Sequence, residues 1–310
     1  MFTRRKFIKK TSLGAAALPL IGSFPLSEAA LFPQNNTTLR VAIMGLGSYA
    51  NRVAKAMESC TRAKVVGVVS GTPSKIKDWQ SRYGIPDKNC YNYENYTDMR
   101  NNPDIDAVYI ITPNALHCEQ TIGVAGAGKH VICEKPMTTS YTEAKELETL
   151  QKKHNAIFAV TYTYTGYPLV RHMKHMIAEG ELGDIQKVDI QYYQGWINPV
   201  IHDPEIRKTV WRLDPKKAGI SSCMGDIGTH AFQMAEYLTG MEIKSLLSDL
   251  NNLYEDNTLD LDGTVLIRFS DKFKGVLRAS QVATGEENNI KVAIYGKKGA
   301  YRWEQENPNY

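Results

Sequence analysis

Apolar and polar positions change their spacing near residue 162. Before that point, apolar runs of strand length alternate with amphipathic stretches of helical length. The apolar runs are RVAIMGL, KVVGVV, DAVYIIT, HVICE and IFAVTY. After residue 180, longer apolar runs separated by turns predict further strands, with one helix near residues 225–239. The alternation indicates βαβ units in the first part, and the later pattern indicates a mostly antiparallel sheet.

These patterns predict an α/β protein with two domains. Residues 38–162 should form a Rossmann domain, a doubly wound parallel sheet covered by helices on both faces. Residues 163–310 should form an α+β domain with an open, mostly antiparallel sheet that serves substrate binding and oligomerisation. Because such an open sheet suits face-to-face association, we expect a homo-oligomer formed through it.

The first 29 residues have the composition of a cleavable export signal. A basic start is followed by an apolar run from Leu13 to Phe24 and by small residues around Ser27 to Ala30. The stretch TRRKFIK matches the twin-arginine pattern, whose export route carries folded proteins. We therefore predict a periplasmic protein exported in its folded state. An uncleaved amphipathic tail is the alternative.

The charge balance changes once this segment is set aside. Its five basic residues and one acidic residue account for the whole formal charge of +4. With no basic stripe remaining, we exclude nucleic acid and membrane surfaces as partners. The five cysteines are odd in number and lack any C-x-x-C spacing, and we expect no metal site. Although export would permit disulfides, folding before export favours reduced, buried thiols.

A glycine-containing turn follows the first predicted strand and opens a helix. Gly45 and Gly47 permit a tight turn and allow a pyrophosphate to approach backbone N–H groups closely. Ser48 and Tyr49 follow them in the same turn and are assigned to the cofactor as well. Ala50 stands where a third glycine would let the helix pack on the strand. In this βαβ context the pattern predicts dinucleotide binding, the alternative being a merely tight turn.

The end of the second strand indicates which nucleotide binds. Ser70 stands where NAD-preferring enzymes usually place a carboxylate for the ribose 2′-hydroxyl. Ser70 and Thr72 can donate hydrogen bonds to a 2′-phosphate, and Lys75 adds positive charge. We therefore favour NADP, with NAD possible, although the same residues also suit an ordinary helix cap.

Two later stretches carry a family resemblance. ITPNALHCE and GKHVICEKPMTTS each follow the carboxyl end of a predicted strand, where open α/β sheets bind their ligands. TPN..H followed by EKP resembles the glucose-fructose oxidoreductase and inositol dehydrogenase family (Gfo/Idh/MocA), and the likeness runs from residue 39 to 303. The matching segments of this chain are most similar to those of the exported, NADP-containing glucose-fructose oxidoreductases. Family members continue for tens of residues beyond such a terminus, so we expect a C-terminally incomplete or unusually short form.

The resemblance implies roles for individual residues. Lys135 is the active-site lysine, and the residues assigned with it to the cofactor are Thr112, Asn114, His117 and Glu134. The family's second signature matches GDIGTHAFQMAEYLTG, in which Asp226 and His230 project from the same helix face. His230 would exchange a proton with the hydroxyl that is oxidised, while Asp226 orients it or binds substrate. Without the family, such a pair is more often a helix cap or a candidate metal site.

Substrate contacts are predicted at Tyr162 and Arg212, in addition to Asp226 and His230, and Tyr164, two residues after Tyr162, could also face the sugar. Packed strand residues and a structural ion pair are the respective alternatives. Glucose-fructose oxidoreductases carry tyrosine at the position of His230, so the glucose and fructose substrate pair does not transfer directly. The predicted function is an exported NADP-dependent sugar oxidoreductase with tightly bound cofactor. The alternatives are a glycoside hydrolase or lyase that oxidises C3 transiently, and a sugar-sensing regulator.

Overall fold

The computed structural model describes residues 38–309, apart from 155, 256 and 270–272. Residues 39–310 belong to one compact unit. The predicted export signal, residues 1–29, lies outside the described residues, so export stays a prediction. None of the helices in the described part of the chain combines the length and the apolar character that a membrane span requires.

The first half of the unit is a parallel sheet with the strand order β3-β2-β1-β4-β5-β6. Its strands are β1 (Leu39–Met44), β2 (Ala63–Val69), β3 (Cys90–Tyr91), β4 (Ala107–Ile110), β5 (His130–Cys133) and β6 (Phe158–Val160). The helices between them are α1 (Ser48–Met57), α2 (Pro73–Tyr83), α3 (His117–Gly126) and α4 (Tyr141–Lys153). Separate apolar clusters bury the two faces of the sheet. This doubly wound arrangement confirms the predicted Rossmann fold.

Local sequence explains where these helices begin and end. At α2, Pro73 occupies the first turn, and Gly84 ends the helix in the left-handed conformation with φ of 64°. At α4, Ser140 Oγ accepts a hydrogen bond from Glu143 N, while the Glu143 carboxylate accepts one from Thr139 N. This reciprocal cap satisfies N–H groups that the first helical turn leaves free.

The second half contains a mixed sheet with the order β12-β11-β7-β10-β9-β8. Its strands are β7 (Ile185–Tyr193), β8 (Ile243–Asn251), β9 (Asp262–Phe269), β10 (Phe273–Ser280), β11 (Asn289–Gly296) and β12 (Ala300–Glu304). All neighbouring pairs are antiparallel except β7 with β10. The predicted mostly antiparallel sheet is therefore confirmed.

Several helices follow β6 or join β7 to β8. They are α5 (Pro168–Ala178), α6 (Asn198–Ile201), α7 (Pro204–Thr209), α8 (Pro215–Ala218) and α9 (Thr229–Thr239). A turn of π-helix, Met224–Gly228, runs directly into α9, so the helix predicted near residues 225–239 is present. One face of the second sheet packs against α5 and α9 in the largest apolar cluster. This packing fixes α9, which carries His230, over the sheet.

The other face of the second sheet carries exposed apolar side chains. Leu247 is 69% exposed, and Leu266, which pairs with it across β8 and β9, is 53% exposed. An apolar groove of about 680 Å³ runs along this face. Such a patch is typical of association surfaces, and oligomerisation through this sheet stays a prediction.

The sequence patterns missed β3, β8, α5 and the short helices α6 to α8. Strand β8 has no buried side chain, so it lacks the alternation that marks a half-buried strand. The expectation of buried cysteines was wrong in part. Cys118, Cys133 and Cys223 are buried free thiols, but Cys60 is exposed because it lies in the surface turn after α1.

Candidate active site

A cleft of about 760 Å³ opens at the carboxyl ends of the Rossmann strands. Residues of both halves line it: the glycine turn after β1, the ends of β2, β4 and β5, the π-helix, α9 and the end of β7. Most of the predicted site residues meet here. The assigned cofactor residues that line the cleft are Gly45, Gly47, Ser48, Tyr49, Ser70, Thr72, Lys75, Thr112, Asn114, His117, Glu134 and Lys135.

The turn after β1 fits a pyrophosphate. Gly45 has φ of +92°, and a Cβ there would lie 2.8 Å from the Ile111 carbonyl oxygen. A Cβ on Gly47 would instead enter open space, where a ligand could approach the backbone. No side chain caps α1 and no acidic residue occupies its first turn, so its N–H groups are free to bind an anion. Ala50 is buried in the core and supports the turn from behind.

The neighbouring end of the cleft lies beside β2 and the start of α2. Ser70 is buried, and its Oγ accepts a hydrogen bond from Thr72 N at 3.2 Å, which leaves the hydroxyl hydrogen free to donate. The Thr72 side chain makes no capping bond. Lys75 and Tyr93 complete this end, and Tyr93 is a lining residue that the sequence patterns missed.

His117 lies deep in the wall of the cleft. Its ring is fully buried, with Nδ1 2.7 Å from the Pro136 carbonyl oxygen and Nε2 2.8 Å from that of Thr112. Burial lowers the pKa of His117, and the two carbonyls oppose that change. A neutral ring carries one N–H and can donate to only one of these carbonyls, so simultaneous hydrogen bonds to both loops require the imidazolium. Asn114 joins the two halves, because its Nδ2 donates to the Ala218 carbonyl at 3.2 Å.

A buried ion pair joins the two halves at the centre of the cleft. Lys135 Nζ, after β5, donates to Asp226 Oδ1 at 2.6 Å and to the Asp226 carbonyl oxygen at 2.7 Å. The two side chains are only 15% and 14% exposed. Beside this pair, Glu134 accepts a hydrogen bond from the Tyr109 hydroxyl at 2.6 Å. EKP and GDIGTH, far apart in sequence, therefore form one site.

The second oxygen of Asp226 has two further donors. Arg212 Nε lies 3.0 Å from Oδ2, and Nε2 of the fully buried Gln281 lies 3.1 Å away. Burial would raise the pKa of Asp226, but Lys135 and Arg212 outweigh it and lower that pKa to about 2. Asp226 is therefore a permanent carboxylate that orients cations rather than a group that exchanges protons. Arg212 was predicted to contact the substrate, with a structural ion pair as the alternative. In the structure it forms an ion pair with Asp226.

The π-helix that carries Asp226 is anchored from the sheet. The Asp260 carboxylate accepts from Ser222 N at 3.0 Å and from Met224 N at 2.7 Å. The Ser222 hydroxyl donates to Gln281 Oε1 at 3.0 Å, which orients the amide that holds Asp226. Turns of π-helix are frequent at functional sites.

His230 is surrounded by aromatic rings. Its ring meets those of Tyr162 and Tyr164 edge-on, at centroid distances of 5.8 and 4.8 Å, and that of Tyr192 at 6.2 Å. Nδ1 is buried without a hydrogen-bond partner. Burial, together with the positive charge of Lys135, lowers the pKa of His230 to about 3, although Asp226 opposes the change. His230 is therefore neutral at rest.

The substrate end differs in detail from the sequence assignment. The Tyr162 hydroxyl lies 3.0 Å from Thr229 Oγ1, and Tyr162 is not among the described residues that line the cleft. Tyr164 lines it instead, with Tyr192, Gln194, Trp211 and Asn288. Val188, Ile190 and Tyr192 point inward from β7, and Gln194 continues this alternation just after the strand. A polar residue on the buried face was therefore the sequence signal that could have identified Gln194. Asn288, in the loop before β11, had none.

Among the described residues, no group of three or more His, Cys, Asp or Glu side chains is arranged to hold a metal ion.

Comparisons with known proteins agree with this geometry. Residues 39–162 match the model of the oxidoreductase family with an NAD-binding Rossmann fold, and residues 170–302 match the Gfo/Idh/MocA C-terminal domain. The Bacillus subtilis uncharacterized oxidoreductase YfiI is 30% identical over 281 residues, covering 87% of this chain and 72% of that protein. The chain belongs to the Gfo/Idh/MocA family of oxidoreductases.

Two further relatives indicate the type of reaction. Levoglucosan dehydrogenase of Pseudarthrobacter phenanthrenivorans is 34% identical over 237 residues, covering 68% of this chain and 59% of that protein. The structure of an inositol dehydrogenase homolog from Azotobacter vinelandii with NAD+ superposes with a TM-score of 0.81 at 29% identity, covering 88% of this chain and 72% of that one. As a Gfo/Idh/MocA protein, the chain is an NAD(P)-dependent oxidoreductase acting on the CH–OH group of a sugar or polyol.

The buried, neutral His230 predicts a pH dependence of stability. Its folded pKa, about 3, lies below the ordinary 6.5. The unfolded chain therefore takes up this proton first as the pH falls, and the stabilisation present above the ordinary pKa is lost progressively below it. Between pH 7 and pH 5, His230→Phe should remove a slope of up to about 1.4 kcal/mol per pH unit from the free energy of unfolding.

Denaturant unfolding curves at several pH values measure this slope. His175→Phe, at an exposed histidine on α5, is the matched control and should retain the wild-type slope. Equal slopes for wild type and His230→Phe would contradict the burial of a neutral imidazole at this site.

Proposed function

We propose that the chain is an exported, NADP-dependent sugar oxidoreductase that transfers hydride between a sugar carbon and a tightly bound nicotinamide cofactor. One observation carries the catalytic part of this proposal. Lys135 from the Rossmann half meets Asp226 and His230 from the second half inside a cleft that also contains the phosphate-binding turn. The narrower resemblance to glucose-fructose oxidoreductases belongs to this proposal.

The cofactor, when bound, supplies the hydride acceptor and donor. Lys135 has three N–H hydrogens, and Asp226 accepts two of them, through Oδ1 and its carbonyl oxygen. The third remains to polarise the sugar oxygen, on which negative charge develops as its proton leaves. Since Asp226 holds the ammonium from behind, this hydrogen needs no reorientation during the reaction.

His230 takes up the proton of the sugar hydroxyl. Because Nδ1 is buried, Nε2 is the nitrogen available to the cleft. With its own proton on Nδ1, the neutral ring presents the Nε2 lone pair to the hydroxyl and accepts the proton there. Lys135 opposes the resulting imidazolium and Asp226 favours it. The cation is thus short-lived, and in the reverse direction it readily protonates a carbonyl oxygen.

Lys135→Met and His230→Ala should separate binding from chemistry. Both changes leave the glycine turn intact, so nucleotide binding should persist. Because the removed groups act on the reacting oxygen, kcat should fall by roughly 100-fold or more. Nucleotide titration calorimetry and the near-ultraviolet absorbance of reduced nicotinamide measure the two quantities.

Lys145→Met and His175→Ala, at exposed positions on α4 and α5, are the matched controls. Near-normal turnover in both active-site variants would refute the assignment. Release of nitrophenol from a nitrophenyl glycoside without net reduction of the nucleotide would favour transient oxidation instead.

The NADP part of the proposal is supported by the end of the cleft beside β2. The hydroxyls of Ser70 and Thr72 have hydrogens free to donate, and the ammonium of Lys75 and the N-terminus of α2 add positive charge. The acidic residues that line the cleft in the described chain are Glu134 and Asp226, on other strand ends and the π-helix. Nothing acidic at this end therefore opposes a 2′-phosphate.

Ser70→Asp should shift the nucleotide preference. The new carboxylate would accept from a 2′-hydroxyl and repel a 2′-phosphate, so the kcat/KM ratio of NADP to NAD should fall at least about 10-fold. Ser81→Asp, at an exposed position on α2, adds the same charge away from the cleft and should leave the ratio unchanged. A wild-type preference for NAD would contradict this part of the proposal.

Export in the folded state requires that the cofactor travel with the protein. We infer that the nucleotide is released slowly and is recycled in place, one sugar reducing it and a second carbonyl substrate reoxidising it. Protein purified from the periplasm without added nucleotide should therefore contain nicotinamide. Its near-ultraviolet absorbance should rise with a reducing sugar and fall with a carbonyl acceptor. Protein that is empty and depends on free nucleotide would refute the closed cycle.

A further inference from the structure

Three side chains at the substrate end form a closed cycle of hydrogen bonds. The hydroxyls of Tyr164 and Tyr192 lie 2.5 Å apart, and the Tyr192 hydroxyl donates to Asn288 Oδ1 at 2.5 Å. Asn288 Nδ2 in turn donates to the Tyr164 oxygen at 3.1 Å. Since Tyr192 spends its only hydrogen on Asn288, the bond between the tyrosines runs from Tyr164 to Tyr192. All three residues line the cleft.

Neighbouring amides consume the remaining hydrogens of this cycle. The second Nδ2 hydrogen of Asn288 goes to Gln305 Oε1 at 2.9 Å. Gln194 Nε2 donates to Asn288 Oδ1 at 2.7 Å and lies 3.5 Å from the Tyr192 oxygen. Gln194 Oε1 is oriented by a hydrogen bond from Trp196 Nε1 at 3.0 Å. Every side-chain N–H and O–H hydrogen of Tyr164, Tyr192, Asn288 and Gln194 thus has a protein acceptor within 3.5 Å.

What this wall offers to a ligand is oxygen lone pairs. Tyr192 and Asn288 Oδ1 already accept two contacts each, whereas the Tyr164 oxygen and Gln194 Oε1 accept one each and keep a free lone pair. A hydroxyl can donate to these oxygens. A phosphate or carboxylate oxygen is only an acceptor, so it would face lone pairs without a hydrogen between them and would lose its hydration without compensation.

The cations of the cleft do not reverse this preference. Lys135 and Arg212 both bond the carboxylate of Asp226, which neutralises part of their charge at the reacting end. Of the described residues that line the cleft, the other lysine or arginine is Lys75, at the nucleotide end. A phosphate group beside Tyr164 and Gln194 would therefore have no cation of its own.

We propose that the Tyr164–Tyr192–Asn288 cycle selects uncharged, polyhydroxylated substrates and rejects their phosphorylated or carboxylated derivatives. The substrate class is a free sugar or cyclic polyol whose hydroxyls donate to Tyr164 and Gln194. The selection is made by the direction of the hydrogen bonds rather than by the size of the cleft. This inference rests on the proposed oxidoreductase function of the same site.

Matched pairs of substrates test the proposal on the purified full chain. D-glucose is compared with D-glucose 6-phosphate and D-glucuronate, and myo-inositol with myo-inositol 1-phosphate, by reduction of NADP and of NAD. Each uncharged parent that is oxidised should exceed its charged derivative in kcat/KM by about 10-fold or more. A charged derivative that reacts as well as its parent overturns the proposal and leaves the oxidoreductase function standing. If nucleotide binds and no compound is oxidised, the function itself fails and the substrate class falls with it.

Tyr192→Phe tests the cycle directly. Without the Tyr192 oxygen, the Tyr164 hydroxyl hydrogen loses its acceptor and is free to donate to an anion. The kcat/KM ratio of parent to charged derivative should therefore fall at least about 5-fold. Because both rates come from the same sample, this ratio is independent of the fraction of folded enzyme. An unchanged ratio overturns the role of the cycle.

Two further variants keep the test decisive. Tyr193→Phe removes a hydroxyl from the next residue of β7, which points to the opposite face of the sheet, and should leave the ratio at the wild-type value. Tyr164→Phe replaces Tyr192→Phe in the test if the latter fails to fold. It removes the acceptor of one Asn288 Nδ2 hydrogen, which is then free to donate to an anion, so the ratio should fall here as well. A fall of the ratio in Tyr193→Phe equal to that in Tyr192→Phe would contradict the proposal.

Discussion

The ion pair between Lys135 and Asp226 is the interaction on which the site depends. It spans 2.6 Å between residues 91 positions apart and is buried on both sides. Removing Asp226 would leave the Lys135 ammonium without its carboxylate partner in a low-dielectric cleft, which is far more costly than the loss of an exposed pair. The same ion pair therefore sets both the catalytic geometry and the alignment of the two halves.

The surroundings of Asp226 show how this charge is tolerated. Gln281 and Arg212 supply further donors, and Asp260 holds the backbone of the π-helix from the sheet. A carboxylate with this many donors has one stable orientation. The lysine it holds is consequently preorganised, and little reorganisation is left for the reaction itself.

Sequence patterns predicted the parts of the site that are local in the chain. The glycine turn, the strand-end position of Lys135 and the pairing of Asp226 with His230 on one helix face all follow from spacing within short segments. The two halves of the fold followed from the change of apolar period. The site as a whole, joined across the cleft by Lys135 and Asp226, was assembled through the family resemblance rather than through spacing.

The missed features depend on tertiary contacts that no local pattern records. Tyr192 is a strand residue, Asn288 precedes β11 and Gln281 follows β10, and none of the three belongs to a motif. Tyr162 and Tyr164 have the same period of two, and the short helical turn after β6 brings Tyr164 to the cleft and Tyr162 to Thr229. The exposed strand β8 lacked a buried face from which it could be recognised.

The Tyr164–Tyr192–Asn288 cycle and the acid-base residues lie on different structural elements, so evolution can change substrate choice and chemistry separately. Gln194 and Asn288 lie just outside β7 and β11, whereas Asp226 and His230 lie on the π-helix and α9. Substitutions at the strand ends can alter which hydrogens face the substrate without shifting strand register or the helix that carries the acid-base groups. A family with this architecture can acquire new substrates by small polar replacements at two loop positions, while inheriting its hydride chemistry unchanged.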